Sequence, residues 1–148
     1  MFQTSLLRSI SRNALLVAAL LLALLVAGCR AAPVLDGVTV EPATISPNAD
    51  GRDDLARIQY RIGQTALVTT SFIDAAGQEH VWRADERRSP NTYNGLFNGI
   101  IGGRMLPDGP YTWRITARPL DGGAPAQAEG HVTIQGGGHF LQEDKGPE

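Results

Sequence analysis

Residues 46–54 read SPNADGRDD, with three aspartates, an asparagine, a serine and a central glycine. Set on the frame of an EF-hand calcium loop with Gly51 at the sixth position, Ser46, Asn48, Asp50 and Asp54 fall at the first, third, fifth and ninth positions, where oxygen ligands belong. Arg57 then falls at the twelfth position, where a bidentate carboxylate should close the shell, and its charge repels calcium. Asn48, Asp50 and Asp54 are therefore candidates for a weak Ca2+ site, and no other cofactor is expected. The same residues also make a turn without metal. Pro47 fixes φ, Asn48 and Asp50 can accept bonds from amides just downstream, and Gly51 supplies positive φ. The turn is the expected role.

Catalysis has little to work with. Asp53 and Asp54 are adjacent, so on an extended chain they face opposite sides and cannot act as an acid/base pair. His80, His131 and His139 lack metal-ligand spacing. Gly99 to Gly103 (GIIGG) lacks the lysine of a phosphate loop, and no nucleophile sits in a GxSxG-like context. The chain is expected not to be an enzyme. Trp113 and Tyr111 share the phase of Ile115 and Ala117, so the core claims them first. Trp82, between Val81 and Arg83, is the aromatic best suited to touch a sugar or a protein partner.

Cys29 is the single cysteine and rules out an intramolecular disulfide. Before it, residues 1–13 carry Arg8 and Arg12 without an acid, and residues 14–27 form an apolar run of 14 residues. That run is short for a membrane-spanning helix and right for the apolar stretch of a signal peptide. It ends in Val26-Ala27-Gly28-Cys29, which resembles the bacterial lipobox, where the cysteine becomes lipidated after cleavage. The expectation is a signal peptide at 1–28, acyl chains (palmitate among them) on Cys29, and a tether at 29–35. Several acyl chains anchor firmly where one holds only marginally. Arg30 stands where aspartate would resemble an inner-membrane retention signal, so the outer membrane is expected in a Gram-negative envelope, and otherwise the outer face of the cell membrane.

From Cys29 onward the chain has eleven basic and fifteen acidic residues, a net charge of −4 without a basic stripe, which argues against nucleic acid. Mostly apolar residues recur at every second position: Val38 and Val40; Ile58, Tyr60 and Ile62; less cleanly Val68, Thr70 and Phe72; Tyr111, Trp113, Ile115 and Ala117; Val132 and Ile134. Turn residues punctuate them at 47–51, 75–77, 107–110 and 120–123. The expected fold is all-β, an antiparallel sandwich of about seven short strands over residues 36–135, followed by a flexible tail at 136–148.

Three stretches in order, ISPNADGRDDLARIQYRI, ALVTTSFIDAAGQ and GRMLPDGPYTWRITA, resemble the immunoglobulin-like domain of the flagellar hook-cap (FlgD-like) family. The family pattern runs approximately SPNGDGxND, a strand, a YDxxGR-like turn, then a G-x-x-LPDGxYxxRxxA hairpin. Ala49 replaces its usual glycine, Asp53 its asparagine, and Phe72-Ile73-Asp74 its strand ending in tyrosine and aspartate. The resemblance implies the immunoglobulin-like fold and not hook assembly. Together with the N-terminus it leads to one expectation: a lipid-anchored structural, adhesive or protein-interaction module of the cell envelope, with an envelope protein or polysaccharide as partner. A carbohydrate-binding lipoprotein and a calcium-stabilised envelope module are the alternatives.

Overall fold

The computed structural model describes residues 32–137, all in strands, turns and their links, and these strands belong to the unit Pro33–Glu148. The expected signal peptide (1–28), Cys29 and His139 lie outside the described residues. The chain is all-β. Seven strands are at least seven residues long: β1 Leu35–Glu41, β3 Ala56–Ile62, β4 Ala66–Ile73, β5 Glu79–Arg88, β6 Asn91–Phe97, β9 Gly109–Pro119 and β10 Ala126–Ile134. Three more are two-residue strands: β2 Thr44–Ile45, β7 Ile100–Ile101 and β8 Arg104–Met105.

One sheet has the order β1-β3-β6 and a second the order β2-β10-β9-β4-β5, while β7 and β8 form a hairpin of their own. Every pairing is antiparallel except β10 with β2. The alternation read from sequence places Ile58, Tyr60 and Ile62 of β3 inward, and Val68, Thr70 and Phe72 of β4 inward against them. Phe72 of one sheet stacks on Phe97 of the other with ring centroids 3.8 Å apart, so the two inner faces share one core. Fully burying side chains of this size contributes about 1.5–3 kcal/mol each.

Trp113 lies across its cross-strand neighbour Gly130, where an added Cβ would come within 2.2 Å of indole Cζ2. Only glycine leaves room for that ring. At the start of β9, the Tyr111 hydroxyl donates to the Pro107 carbonyl at 2.7 Å, fastening the turn before the strand. Burial pushes the Tyr111 pKa up, and the nearby Asp74 and Asp108 carboxylates push the same way.

The strand directions give the domain two ends. At the near end the chain enters, Leu35 pairs with Ile62, and Gly63 donates to the Val34 carbonyl at 3.1 Å. At the far end, β3 begins at Ala56 beside Phe97, β4 finishes at Ile73, β9 begins at Gly109, and β10 finishes at Ile134 beside Ile45. The loop at 46–54 and the β7–β8 hairpin sit together at this far end.

Candidate functional site

The SPNADGRDD loop is organised around a carboxylate of its own. Asp54 Oδ1 accepts from the amides of Asn48 at 3.0 Å and Ala49 at 2.8 Å, and its Oδ2 accepts from Gly51 at 2.8 Å. Asp50 Oδ1 accepts from the Arg52 amide at 2.8 Å, while Asn48 Oδ1 accepts from the Asp50 amide at 3.0 Å. The Asn48 side-chain amide donates to Asp50 Oδ2 at 3.2 Å, and the Ser46 amide closes the base on the Asp53 carbonyl at 2.8 Å. Asn48, Asp50 and Asp54 are thus brought together, but their oxygens are aimed at loop amides rather than at a common point. A cation here would have to compete with those donors. Among the described residues no group of three or more His, Cys, Asp or Glu is placed to hold a metal.

The backbone explains two residue positions. Ala49 has φ +60° and Asp53 φ +50°, both left-handed, a region that costs an ordinary L-residue such as alanine of order 1–2 kcal/mol and that aspartate and asparagine tolerate better. These are the two places where the family pattern carries glycine and asparagine.

Trp82 is half-buried and its ring is taken up within the domain. It meets Phe97 edge-on at 5.5 Å and Phe72 at 6.3 Å, and the Arg83 guanidinium sits 4.3 Å from its centroid. An added Cβ at Gly95 would lie 3.0 Å from its Cη2, so β6 passes close beneath it. The ring closes the gap between the edge strands β5 and β6. His80, on β5, pairs through Nε2 with Asp74 Oδ2 at 3.1 Å, and His131 is exposed.

Two further carboxylates that sequence reasoning passes over also pin far-end turns. Asp74 Oδ1 accepts from Ala76 and Gln78, each at 2.9 Å, closing the β4–β5 hairpin. The Gln78 amide, with His80 and the Ala76 amide, holds the Asp74 pKa below the usual carboxylate value. Asp108 takes Gly136 on Oδ2 at 2.7 Å and Gly137 on Oδ1 at 2.9 Å. Gly136 and Gly137, which the sequence assigns to a flexible tail, are therefore fastened to the turn before β9. The signals for both acids are present as D-x-x-G and P-D-G turns, but their amide partners follow only from the fold.

Between the pinned loop and the β7–β8 hairpin lies an open, mostly apolar groove of about 550 Å³. Pro47, Ala49 and Leu55 form one wall, and Asn98, Ile100 and Met105 the other. Leu55 and Ile100 are exposed despite their size. Asp54 also lines the groove, so the carboxylate that fixes the loop borders the surface the loop presents. Such a groove can take an apolar side chain or two. It brings together no nucleophile with a base, and its carboxylate is committed to amides. No protein-family model matches the chain, and no curated protein matches it.

Proposed function

We propose that the protein is an exported lipoprotein, cleaved after residue 28 and lipidated on Cys29, whose single immunoglobulin-like sandwich is a structural and interaction module of the cell envelope. The far-end groove is the surface it presents to a partner protein. The observation that carries this reading is an apolar groove left open between the carboxylate-pinned 46–54 loop and the β7–β8 hairpin, since exposed apolar surface of this kind marks interaction sites.

Three features support the immunoglobulin-like assignment. Seven longer strands divide between two facing sheets, and successive strands β3–β4 and β5–β6 cross from one sheet to the other. The Tyr111-to-Pro107 bond has the form of the tyrosine corner of such sandwiches. The FlgD-like pattern places glycine and asparagine where this backbone is left-handed. Cys29 precedes Pro33 by four residues, so a lipid there tethers the domain by its near end, and the groove is on the other. No catalysis is part of this reading, and neither Trp82 nor the 46–54 loop is assigned a sugar or a calcium ion.

The test is made in cells that express the full chain with a photo-crosslinking residue in place of Leu55. A discrete adduct with an envelope protein is expected, lost on Ile100→Asp, from a protein that takes up labelled palmitate and fractionates with membranes unless it carries Cys29→Ser. A chain that takes up no lipid and stays soluble with Cys29 intact sinks the anchoring. An adduct indifferent to Ile100→Asp sinks the groove.

A further inference from the structure

Among the described residues the two sheets have four edge strands, β1 and β6 in one and β2 and β5 in the other. An edge presents a row of unpaired backbone groups that another chain can join, and proteins blunt it with bulges, charge or brevity. Here β1 is bulged between Asp36 and Thr39, and β2 has only two residues. β5 breaks register twice against β4 and carries six charged residues among its ten. β6 has none of these guards. It reads NTYNGLF, without a charge, and pairs with β3 in unbroken register over all seven residues.

The Thr92 amide donates to Asn91 Oδ1 at 2.8 Å, so it is not spent on β3. Backbone groups alternate between the two sides of a strand, so those of Thr92, Asn94 and Leu96 point to the open side. Leu96 is also the most exposed large apolar side chain among the described residues. The surroundings of this edge are basic. Arg57, opposite Leu96 on β3, makes no ion pair among the described residues, and its other cross-strand neighbour, Glu41, lies on the far side, on β1. On β5, Arg83 reaches to 3.9 Å from where a Cβ of Gly95 would stand, and the Arg88 guanidinium sits 4.6 Å from the Tyr93 ring centroid. These two arginines share one carboxylate, Glu86. We propose that β6 is a strand-accepting edge whose ligand is an acidic, extended segment of another protein, joined to the backbone of Thr92, Asn94 and Leu96 as a fourth strand of the β1-β3-β6 sheet. Main-chain bonds supply the affinity, and the surplus of guanidinium over carboxylate selects acids. This surface goes beyond the far-end groove and uses none of its lining residues.

The experiment uses the full chain purified in detergent and two synthetic peptides matched to β6 in length. One alternates valine with glutamate and threonine, and the other has lysine in place of each glutamate. Amide-resolved hydrogen exchange should slow at Thr92, Asn94 and Leu96 but not at Tyr93 or Gly95, by about ten-fold once the acidic peptide stands at about ten times its dissociation constant. The lysine peptide should bind about five-fold more weakly or worse, the upper range of one exposed charge pair. Asn94→Pro removes an outward amide and leaves the ladder to β3 intact, so it should abolish the protection without lowering the unfolding midpoint. Thr92→Pro makes the same cut at the next outward amide, should the first variant fail to fold. No slowing at millimolar acidic peptide, slowing at the β1 or β5 edge instead, an equal response to the lysine peptide, or protection that survives the proline variants each overturns the inference. Such a result leaves capture from position 55 untouched, because the groove is unaltered in every arm.

Discussion

At the far end of the domain three aspartates each tie down a turn, Asp54 with three amides, Asp74 with two and Asp108 with two. At the near end backbone bonds tie strand ends together, Gly63 to Val34 at 3.1 Å and Leu120 to Thr65 at 3.0 Å, and the Tyr93 hydroxyl donates to the Ser89 carbonyl at 2.9 Å across the β5–β6 turn. Both ends are made of short loops rich in glycine and proline. The difference lies in what holds them. A charged acceptor makes a stronger bond than a carbonyl, and one carboxylate taking two or three amides fixes several residues together. Loops held in this way lose less freedom when something binds to them, which lowers the cost of association. The reinforced end is the one with the groove.

The strongest test of that contrast removes its largest element. Asp54→Ala strips three amides of their acceptor at once. By analogy with capping losses it should lower unfolding free energy by about 1–2 kcal/mol, and the amides left open should exchange faster. Chemical denaturation measures the first, and hydrogen exchange at Asn48, Ala49 and Gly51 the second. A loss spread evenly over the near-end amides as well would mean that the loop does not fold as a separate unit. The opposite sign is expected at Ala49. Ala49→Gly relieves the left-handed strain at φ +60° and should stabilise by about 0.5–1 kcal/mol, after allowing for the freer unfolded chain. No gain would remove the physical basis for matching this loop to the glycine-bearing family pattern.

Acid should separate the two ends as well. The Asp74 pKa is depressed in the fold, so its contribution is present above the unfolded value near 3.8 and disappears as pH falls through the lower folded value. Acidification below about pH 4 should therefore release the Ala76 and Gln78 amides, visible as chemical-shift changes in an NMR titration. Asp36 at the near end is depressed too, by Arg61 and the Gly37 amide, but it joins two strands rather than closing a loop. Its titration should shift strand signals and leave the Gly63 and Leu120 amides in place. Concerted release of both ends at one pH would erase the distinction. At the alkaline extreme the order of effects reverses: burial raises the Tyr60 and Tyr111 pKa values, so stability should decline as pH rises past about 10.

How much of this the sequence carries depends on whether a neighbour in sequence or a neighbour in space does the work. Tyr111, Trp113, Ile115 and Ala117 alternate cleanly because β9 is central, with one face on the core, and its 3D placement repeats its pattern. The strand β6, Asn91–Phe97, escapes periodicity because its inward positions include Tyr93 and Gly95, the latter kept small by Trp82 from another strand. The hairpin β7–β8 escapes because two residues per strand leave no period to read. For the loop, residue types alone indicate a turn, but the identity of Asp54 as its anchor requires knowing where three amides point. The groove is further from legible, since Leu55 and Ile100 are 45 positions apart and each alone reads as an ordinary exposed hydrophobe.

The smallest expected effect is also the sharpest comparison. Leu55 at the far end and Leu120 at the near end are nearly equally exposed, at 42% and 44%. Serine at either position removes a side chain that buries little, so Leu55→Ser and Leu120→Ser should each change stability by no more than about 0.5 kcal/mol. Their functional consequences should differ. Leu55 lines the groove, so Leu55→Ser should weaken capture of the partner by a photo-crosslinking residue placed at Ile100. Leu120 follows the last residue of β9, its amide bonded to the Thr65 carbonyl away from the groove, so Leu120→Ser should leave that capture unchanged. Equal losses of capture would show that either exposed leucine serves, and the carboxylate-pinned end would then be reinforced for folding alone. An effect confined to Leu55 would tie the reinforcement to the surface it holds.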